Sequence, residues 1–210
     1  MTQNQPIMQM TITNPATASR RLFLRPWLVW TAGFLSFPIA GVAGAAAVGR
    51  VDDPISALIA GVITGAVIGA GQSLASSRRL QPIRWIIATA IGMGLGLLIG
   101  AEAVGYGTSL AGLAGMGALT GLALGGAQAL ALPARTRYGA LWAAAMQLLW
   151  ALGWIVTTLA GIDVDRQFTI FGASGAVTFS ALSGVLLHKL LPARSATTKA
   201  IPSTQTKDTA

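Results

Sequence analysis

Six long stretches of this chain contain no charged residue. A hydrocarbon core of ~30 Å needs ~20 apolar residues at ~1.5 Å rise each, and the six stretches come close to that length. A segment that crosses lipid must satisfy its own backbone polar groups, so each stretch is predicted to be a helix. The predicted spans are Trp27–Gly49, Ile55–Ala75, Trp85–Ala101, Leu110–Leu132, Gly139–Ala160 and Phe168–Leu187.

Composition supports a membrane protein, because 53% of the residues are hydrophobic, 10% are charged and the mean hydropathy is +0.66. Such a chain is too apolar for a domain with a fully wetted surface. The alternating pattern of membrane β-strands is absent from the sequence. The predicted fold class is therefore all-α, a polytopic bundle of six transmembrane helices. The chain contains no cysteine, which excludes disulfides, thiolate catalysis and cysteine metal sites.

The positions of the basic residues predict the orientation. If the amino terminus is cytoplasmic, twelve of the fourteen Lys and Arg residues fall on the cytoplasmic side, which is the positive-inside pattern. Both termini are therefore expected in the cytoplasm, and because topology explains the net charge of +8, no nucleic-acid partner is predicted. Trp27 and Trp30 are expected at the inner membrane interface. The twelve are Arg20, Arg21, Arg25, Arg78, Arg79, Arg84, Arg135, Arg137, Lys189, Arg194, Lys199 and Lys207, whereas Arg50 and Arg166 fall outside.

The chain divides into one membrane domain and two polar tails. Residues 1–19 are polar and are expected to form a disordered cytoplasmic head, residues 20–191 the six-helix domain, and residues 192–210 a disordered cytoplasmic tail. The first apolar run is long enough to span the membrane, which argues for a retained span rather than a cleaved signal peptide. Pro38 is predicted to kink that span. Gly105 to Thr108 supply the break between the third and fourth spans.

The second and fourth spans carry the same pattern of glycines and one glutamine. All four positions of the pattern recur at one constant offset, and they step by four, four and three, so each set lines one helix face. Removing side chains along a face lets a neighbouring backbone approach closely, which drives helix association in lipid. These helix-packing candidates are Gly61, Gly65, Gly69 and Gln72, repeated as Gly117, Gly121, Gly125 and Gln128.

The repeat extends to other spans. Trp85 and Trp142 begin the third and fifth spans, and the separation between them is one residue longer than the separation between the two copies of the glycine pattern. In the sixth span Gly175 corresponds to Gly65, but Leu182 stands where the glutamine is expected. The sequence therefore predicts three repeated hairpins that run in the same direction, with a degraded third copy. This differs from the inverted repeats of many secondary transporters.

The two glutamines allow two interpretations. A carboxamide near the end of a span can hydrogen-bond to an adjacent helix or to its own repeat partner, which is worth ~0.5 to 2 kcal/mol. Alternatively, Gln72 and Gln128 line a polar pocket that opens inward, which Gln147 on the tryptophan-bearing face of the fifth span joins.

The pattern Gly-x-x-x-Gly-x-x-Gln, followed by a basic turn and a Trp-led span, resembles a group of uncharacterised bacterial multi-pass membrane proteins. It is carried by Gly65 to Gln72 with Arg78, Arg79 and Trp85, and by Gly121 to Gln128 with Arg135, Arg137 and Trp142. The resemblance covers about residues 60–187 and implies a bacterial cytoplasmic membrane and no particular activity. This chain departs from the pattern because Ser73 and Ala129, rather than aromatic residues, follow the glutamines.

Few residues suggest catalysis. Gly172 to Gly175 resembles the nucleophile motif of rhomboid proteases, but His188 lies fourteen residues after Ser174 on the same predicted helix, ~21 Å away at ~1.5 Å per residue. A serine nucleophile needs a base within hydrogen-bond reach. Glu102 is the one acid beside a span and is interpreted as a solvated interfacial carboxylate, with a proton or cation site as the alternative. No metal or cofactor is predicted.

Two functional hypotheses follow. The first is a non-enzymatic integral membrane protein that acts as a packing or interaction subunit or as a small homo-oligomer, with glycine faces exposed for association. The second is a small transporter or substrate-capture subunit with a pocket lined by the three glutamines. Six spans in a chain of this length with inside termini also look like the membrane substrate-binding components of energy-coupling-factor importers. The partners implied are the lipid bilayer and a second membrane protein or copy.

Overall fold

A computed structural model describes residues 15–133, 135–162 and 170–191, with only the backbone described for residues 15–22 and 135–137. The helices are α1 (Pro15–Ala32), α2 (Ser36–Val48), α3 (Pro54–Ala75), α4 (Pro82–Ala103), α5 (Leu110–Ala131), α6 (Arg135–Leu159) and α7 (Ala173–Leu190). A 3₁₀ turn, Gly33–Leu35, joins α1 to α2. No strand occurs among these residues, so the all-α prediction is confirmed over the described chain.

Five segments are long and apolar enough to cross a membrane: Phe23–Val48, Pro54–Ala75, Pro82–Ala103, Leu110–Ala131 and Tyr138–Leu159. They coincide closely with the first five predicted spans. The sixth predicted span begins at Phe168, outside the described residues, and its described part belongs to α7. Helix α7 packs with the other helices but is not among the five apolar segments. The structure thus supports a helical membrane protein, and a six-span topology remains a prediction.

From α2 to α7 each helix packs against the next in chain order, the 3₁₀ turn connects α1 to α2, and α7 packs back against α1, so the helices form a ring. Neighbours run antiparallel, since Gly61 near the start of α3 contacts Met93 in the second half of α4, whereas Gly69 contacts Ile86 near the start of α4. The basic end of the bundle therefore carries Arg25, Arg78, Arg79, Arg84 and Lys189. The opposite, acidic end carries Asp52, Asp53 and Glu102 together with Arg50.

The first span is interrupted where Pro38 requires it. A proline ring clashes with the carbonyl four residues earlier, which here belongs to Phe34. The α-helix gives way to the 3₁₀ turn at Gly33–Leu35, and the Ser36 N–H bonds to the carbonyls of Gly33 and Phe34. The break predicted from Pro38 is therefore present just before the proline.

Helix α1 begins at Pro15, so the described part of the predicted disordered head, residues 15–19, is helical. Proline is well suited to the first turn of a helix because its missing N–H would be unpaired there. Two alanines within this stretch also favour a helix. The remaining head and the predicted tail from residue 192 lie outside the described residues.

Helices α3 and α5 start with side-chain caps, Asp53 and Ser109, that occupy equivalent positions of the repeat. Asp53 accepts hydrogen bonds from the Ile55 and Ser56 amides and forms a capping box with Ser56. Ser109 accepts from the Gly112 amide. Each cap satisfies amide groups that the first helical turn leaves unpaired. The repeat therefore includes the point at which each glycine-bearing helix begins.

Aromatic side chains fill the bundle interior beyond the glutamines. Phe37 of α2 packs against Trp150 of α6 at 6.2 Å and against Phe179 of α7 at 5.6 Å between ring centroids. Phe171, just before α7, contacts Phe37, Trp150 and Trp154. All five rings are at most 1% exposed. Such ring pairs add about 0.5–1.5 kcal/mol each beyond their area burial. They therefore help to hold together helices that are distant in the chain.

Candidate functional site: the glycine seams and the glutamine–tryptophan network

The three glycines of α3 form a close seam with α4. A Cβ atom added to Gly61 would lie 2.6 Å from the Met93 carbonyl oxygen, and one added to Gly65 would lie 2.6 Å from the Thr89 carbonyl oxygen. At Gly69 the added atom would meet Ile86 and Thr89 at 3.0 Å. Backbones this close leave no room for a methyl group, which explains the glycines at all three positions.

The second set repeats this seam between α5 and α6. A Cβ atom added to Gly117 would lie 2.6 Å from Trp154, and one added to Gly125 would lie 2.8 Å from the Ala143 Cα atom. At Gly121 it would overlap the Met146 carbonyl oxygen. All six glycines are buried inside the chain. The expectation that these faces are exposed for association between copies is therefore wrong, because each already packs against the next helix of its own chain.

Gln72 and Gln128 lie in one hydrogen-bond network that spans four helices. The Trp85 Nε1 donates to Gln72 Oε1 at 2.9 Å, and the Trp142 Nε1 donates to Gln128 Oε1 at 3.0 Å. The Gln128 Nε2 donates to Thr89 Oγ1 at 3.0 Å and, over a longer 3.4 Å, to Gln72 Oε1. The structure thus contains the bond between repeat partners that the sequence suggested.

The tryptophans determine how each carboxamide is oriented. An indole N–H can only donate, so the glutamine oxygen must face it and the amide nitrogen must point away. In Gln128 that nitrogen then reaches Thr89, whose hydroxyl donates to the Trp85 carbonyl at 2.7 Å. The two indole rings also meet edge to face at 5.9 Å. The network is buried, with Gln72 5% and Gln128 1% exposed.

A third tryptophan repeats the arrangement between α1 and α7. The Trp30 Nε1 donates to Ser183 Oγ at 3.0 Å, and the Trp27 Nε1 donates to the Ala181 carbonyl at 2.9 Å. Ser183 lies one residue beyond Leu182, the position at which the internal repeat predicts a glutamine. Both indoles were interpreted from sequence as lying at the membrane surface, whereas Trp30 is only 4% exposed. The sequence indicated this similarity, since a tryptophan lies at or near the start of the first, third and fifth predicted spans.

Two repeated threonines each donate to the preceding helix of the same predicted hairpin. The Thr64 Oγ1 donates to the Ala40 carbonyl at 3.4 Å, and the Thr120 Oγ1 donates to the Gly96 carbonyl at 3.1 Å. Donors and acceptors both recur at the offset that relates the two glutamines. Thr64 and Thr120 are identical residues at repeat-related positions, but residue identity does not indicate their acceptors, because every residue has a backbone carbonyl.

Gln147 is half-buried, and none of the described hydrogen bonds connects it to Gln72 or Gln128. Its backbone instead belongs to the glycine seam, because a Cβ atom added to Gly121 would lie 2.9 Å from its Cα atom. Two cavities stand out along the described chain, and neither is lined by any of the three glutamines. In the described residues, Gln72 and Gln128 thus belong to a polar network in which their oxygens pair with tryptophan N–H groups.

The residues considered for chemistry lie apart. Ser174 is in the first turn of α7 and His188 in its last turn, so the helix separates them. Glu102 is exposed in the last turn of α4 and accepts a 2.5 Å hydrogen bond from the Tyr106 hydroxyl. Burial, together with this hydrogen bond and the charge of Glu102, raises the pKa of Tyr106 to about 12. Among the described residues, no group of three or more His, Asp and Glu side chains lies where it could hold a metal ion.

Comparison of the chain with protein-family models, with curated proteins and with solved structures gives no match.

Proposed function

We propose that the protein is a non-enzymatic integral membrane protein of a bacterial cytoplasmic membrane, which acts as an interaction subunit of a larger assembly or as a small homo-oligomer. The observation that carries this proposal is that the interior of the bundle is occupied. Aromatic rings fill one part, and the glutamine–tryptophan network fills another with its polar groups paired to each other. Such an interior supports a packing role better than it supports substrate passage.

The contact surface for a partner has to lie on the outside of the ring, because the glycine faces of α3 and α5 are used internally. The outer face of α6 offers a small-residue pair at a spacing of four, Ala140 and Ala144, followed by Leu148, which is 70% exposed. Small residues at this spacing allow close helix approach in lipid. The outer face of α4 instead carries bulky residues at the same spacing, including Ile91 and Leu95.

This proposal is tested by native mass spectrometry and chemical cross-linking of the protein extracted in mild detergent. We expect a defined oligomer or a stoichiometric partner. We further expect Ala144→Trp on α6 to disrupt it and the matched variant Leu95→Trp on α4 to leave it unchanged. A strictly monomeric particle without a partner would contradict the proposal.

A metabolite screen separates this proposal from a substrate-capture role. We expect no metabolite to raise the unfolding temperature of the purified protein, because Gln72 and Gln128 already pair with tryptophans. If a metabolite stabilises the protein and Gln72→Ala abolishes that effect, the substrate-capture role replaces the one proposed here.

A further inference from the structure

A groove of about 460 Å³ lies between α4 and α5 at the basic end of the bundle. Nearer the acidic end the two helices are in close contact, since a Cβ atom added to Gly92 would lie 2.7 Å from the Leu124 Cα atom. Between Gly92 and the basic end, alanines of α4 and α5 face each other, and their short side chains leave the groove open. The groove is lined by Arg84, Ile87, Ala88, Ile91, Ala127, Leu130 and Ala131.

The walls of this groove need an apolar occupant. Ile87 and Ile91 are 52% and 51% exposed and Leu130 is 71% exposed, although all three belong to segments apolar enough to cross a membrane. Seven residues separate Arg84 from Ile91, which corresponds to ~10 Å along the helix. This is about a third of a ~30 Å hydrocarbon core, so the groove lies within one leaflet. An acyl chain is the apolar group available there.

One charged side chain lines the groove. Arg84 is exposed in the first turn of α4, where its own amide is already capped by Gln81 Oε1 at 2.9 Å. No carboxylate pairs with its guanidinium among the described residues, since the described acids lie at the opposite end. A guanidinium presents paired N–H donors that match a phosphate group. Because Arg84 lies in the first turn of a segment apolar enough to cross the membrane, we expect its charge at the level of the phospholipid phosphates.

The basic end is not grooved everywhere. Among α1, α3 and α7 the corresponding cavity is about 10 Å³, and Trp27 and Trp30 line it. Arg79, which lines that small cavity, donates to the Leu191 carbonyl at 3.4 Å. The open groove and the unpaired arginine therefore occur together at one seam of the ring and are both missing from the other.

We propose that this groove binds an anionic phospholipid, with one acyl chain along Ile87, Ile91 and Leu130 and the phosphate against Arg84. The volume falls within the ~300–1,000 Å³ range of small-molecule sites. Anionic lipids are favoured over zwitterionic ones because the basic end of the bundle presents an excess of positive charge to the membrane surface.

The test is lipid retention measured by native mass spectrometry after reconstitution with phosphatidylglycerol or phosphatidylcholine. We expect the wild-type protein to retain phosphatidylglycerol preferentially and Arg84→Gln to reduce that preference about fivefold, a typical effect of one basic residue near an anionic surface. Arg78→Gln is the matched control, because Arg78 is exposed at the same end and does not line the groove. Inorganic phosphate added in excess should not displace the lipid, since it cannot occupy the apolar walls.

A second variant tests the groove itself. Ala131→Leu should fill it and reduce retention of both lipids, whereas Ala46→Leu, at an exposed position of α2 away from the groove, should not. Equal retention of both lipids by the wild-type protein, or equal losses in Arg84→Gln and Arg78→Gln, would overturn the proposal. If Ala131→Leu does not fold, the comparison of Arg84→Gln with Arg78→Gln still tests the proposal. Lipid retention is scored per chain, so the outcome is independent of whether the protein forms an oligomer.

Discussion

The seams α3/α4 and α5/α6 differ from the seam α1/α7 in how the helices are held together. In the first two, a short turn at the basic end connects the helices, three glycines bring them close, and a glutamine accepts from a tryptophan. In the third, no turn connects α7 to α1, and Ser183 takes the place of the glutamine. The ring is thus closed by contacts between segments from opposite ends of the described chain.

This difference shows what a glutamine adds to the repeated seam. Its carboxamide can accept from a tryptophan and donate onward, so Gln128 of α5 bonds both to Trp142 of α6 and to Thr89 of α4. Ser183 also accepts from a tryptophan, but its hydroxyl donates to the Ser180 carbonyl within its own helix at 3.3 Å. The glutamine network therefore joins four helices, whereas the serine joins one pair.

The largest effect is expected from adding a methyl group to the glycine seams. Gly65→Ala, Gly121→Ala and Gly175→Ala each place a Cβ atom against a backbone carbonyl of the neighbouring helix, those of Thr89, Met146 and Gly153. Overpacking of this kind typically costs about 1–3 kcal/mol and occasionally more. The measurement is the free energy of unfolding in mixed detergent micelles.

Gly126→Ala is the matched control, because nothing lies within 4 Å of an added Cβ atom there. We expect this variant to be as stable as the wild-type protein or slightly more stable, since alanine is the better helix former. If Gly126→Ala and Gly121→Ala lose stability equally, the seams are not as close as described.

The next effect concerns the glutamines. Gln128→Leu removes three hydrogen bonds and leaves the buried Trp142 N–H without a partner, which should cost about 1–3 kcal/mol. Gln72→Leu removes two hydrogen bonds and leaves the Trp85 N–H unpaired, so its loss of unfolding free energy should be smaller. Gln147→Leu serves as the control and should change the unfolding free energy by less than about 0.5 kcal/mol. Equal costs for all three variants would exclude the network as a source of stability.

A smaller effect sharpens the comparison between a network and an isolated pair. In a double-mutant cycle, Trp30→Phe and Ser183→Ala should couple by about 0.6 kcal/mol, the average for hydrogen bonds between membrane helices. Trp142→Phe and Gln128→Leu should couple more strongly, toward the measured upper range of ~1.7 kcal/mol, because Gln128 is held by several partners. Stronger coupling in the serine pair would contradict the distinction drawn here.

The smallest effect concerns the helix caps Asp53 and Ser109, whose contributions to stability should differ in their dependence on pH. The hydrogen bond that the Ser56 amide donates to the Asp53 carboxylate holds the pKa of Asp53 below its usual value of 3.8. A lowered folded-state pKa contributes stability that is present above 3.8 and is lost as the pH falls through the folded-state value. Asp53→Ser copies the Ser109 cap of α5 and should remove this dependence. The measurement is the unfolding temperature of both proteins from pH 6 to pH 3, and parallel curves would contradict the assignment.

The sequence was sufficient for most of the helices and for the glycine faces, because membrane spans and glycine seams depend on local apolar character and on spacing. The boundaries of α3 and α5 fall within one residue of the predicted spans. The sequence was misleading about where the glycine faces pack, since a small-residue face fits a helix of the same chain as well as one of another. It could not reveal Thr89 or Ser183, because their roles depend on helices meeting far along the chain.

We propose that the repeated hairpins run in one direction and that the basic turns between them lie on the same side of the membrane. The chain lacks cysteine, so single thiols can be introduced cleanly at Gln81, Thr136 and Asp52 and labelled with a membrane-impermeant reagent on intact cells. We expect the thiols at 81 and 136 to react only after the cells are opened and the thiol at 52 to react in intact cells. Labelling of 81 and 136 from opposite sides would contradict the repeated-hairpin fold, and labelling of both from outside would overturn the proposed orientation.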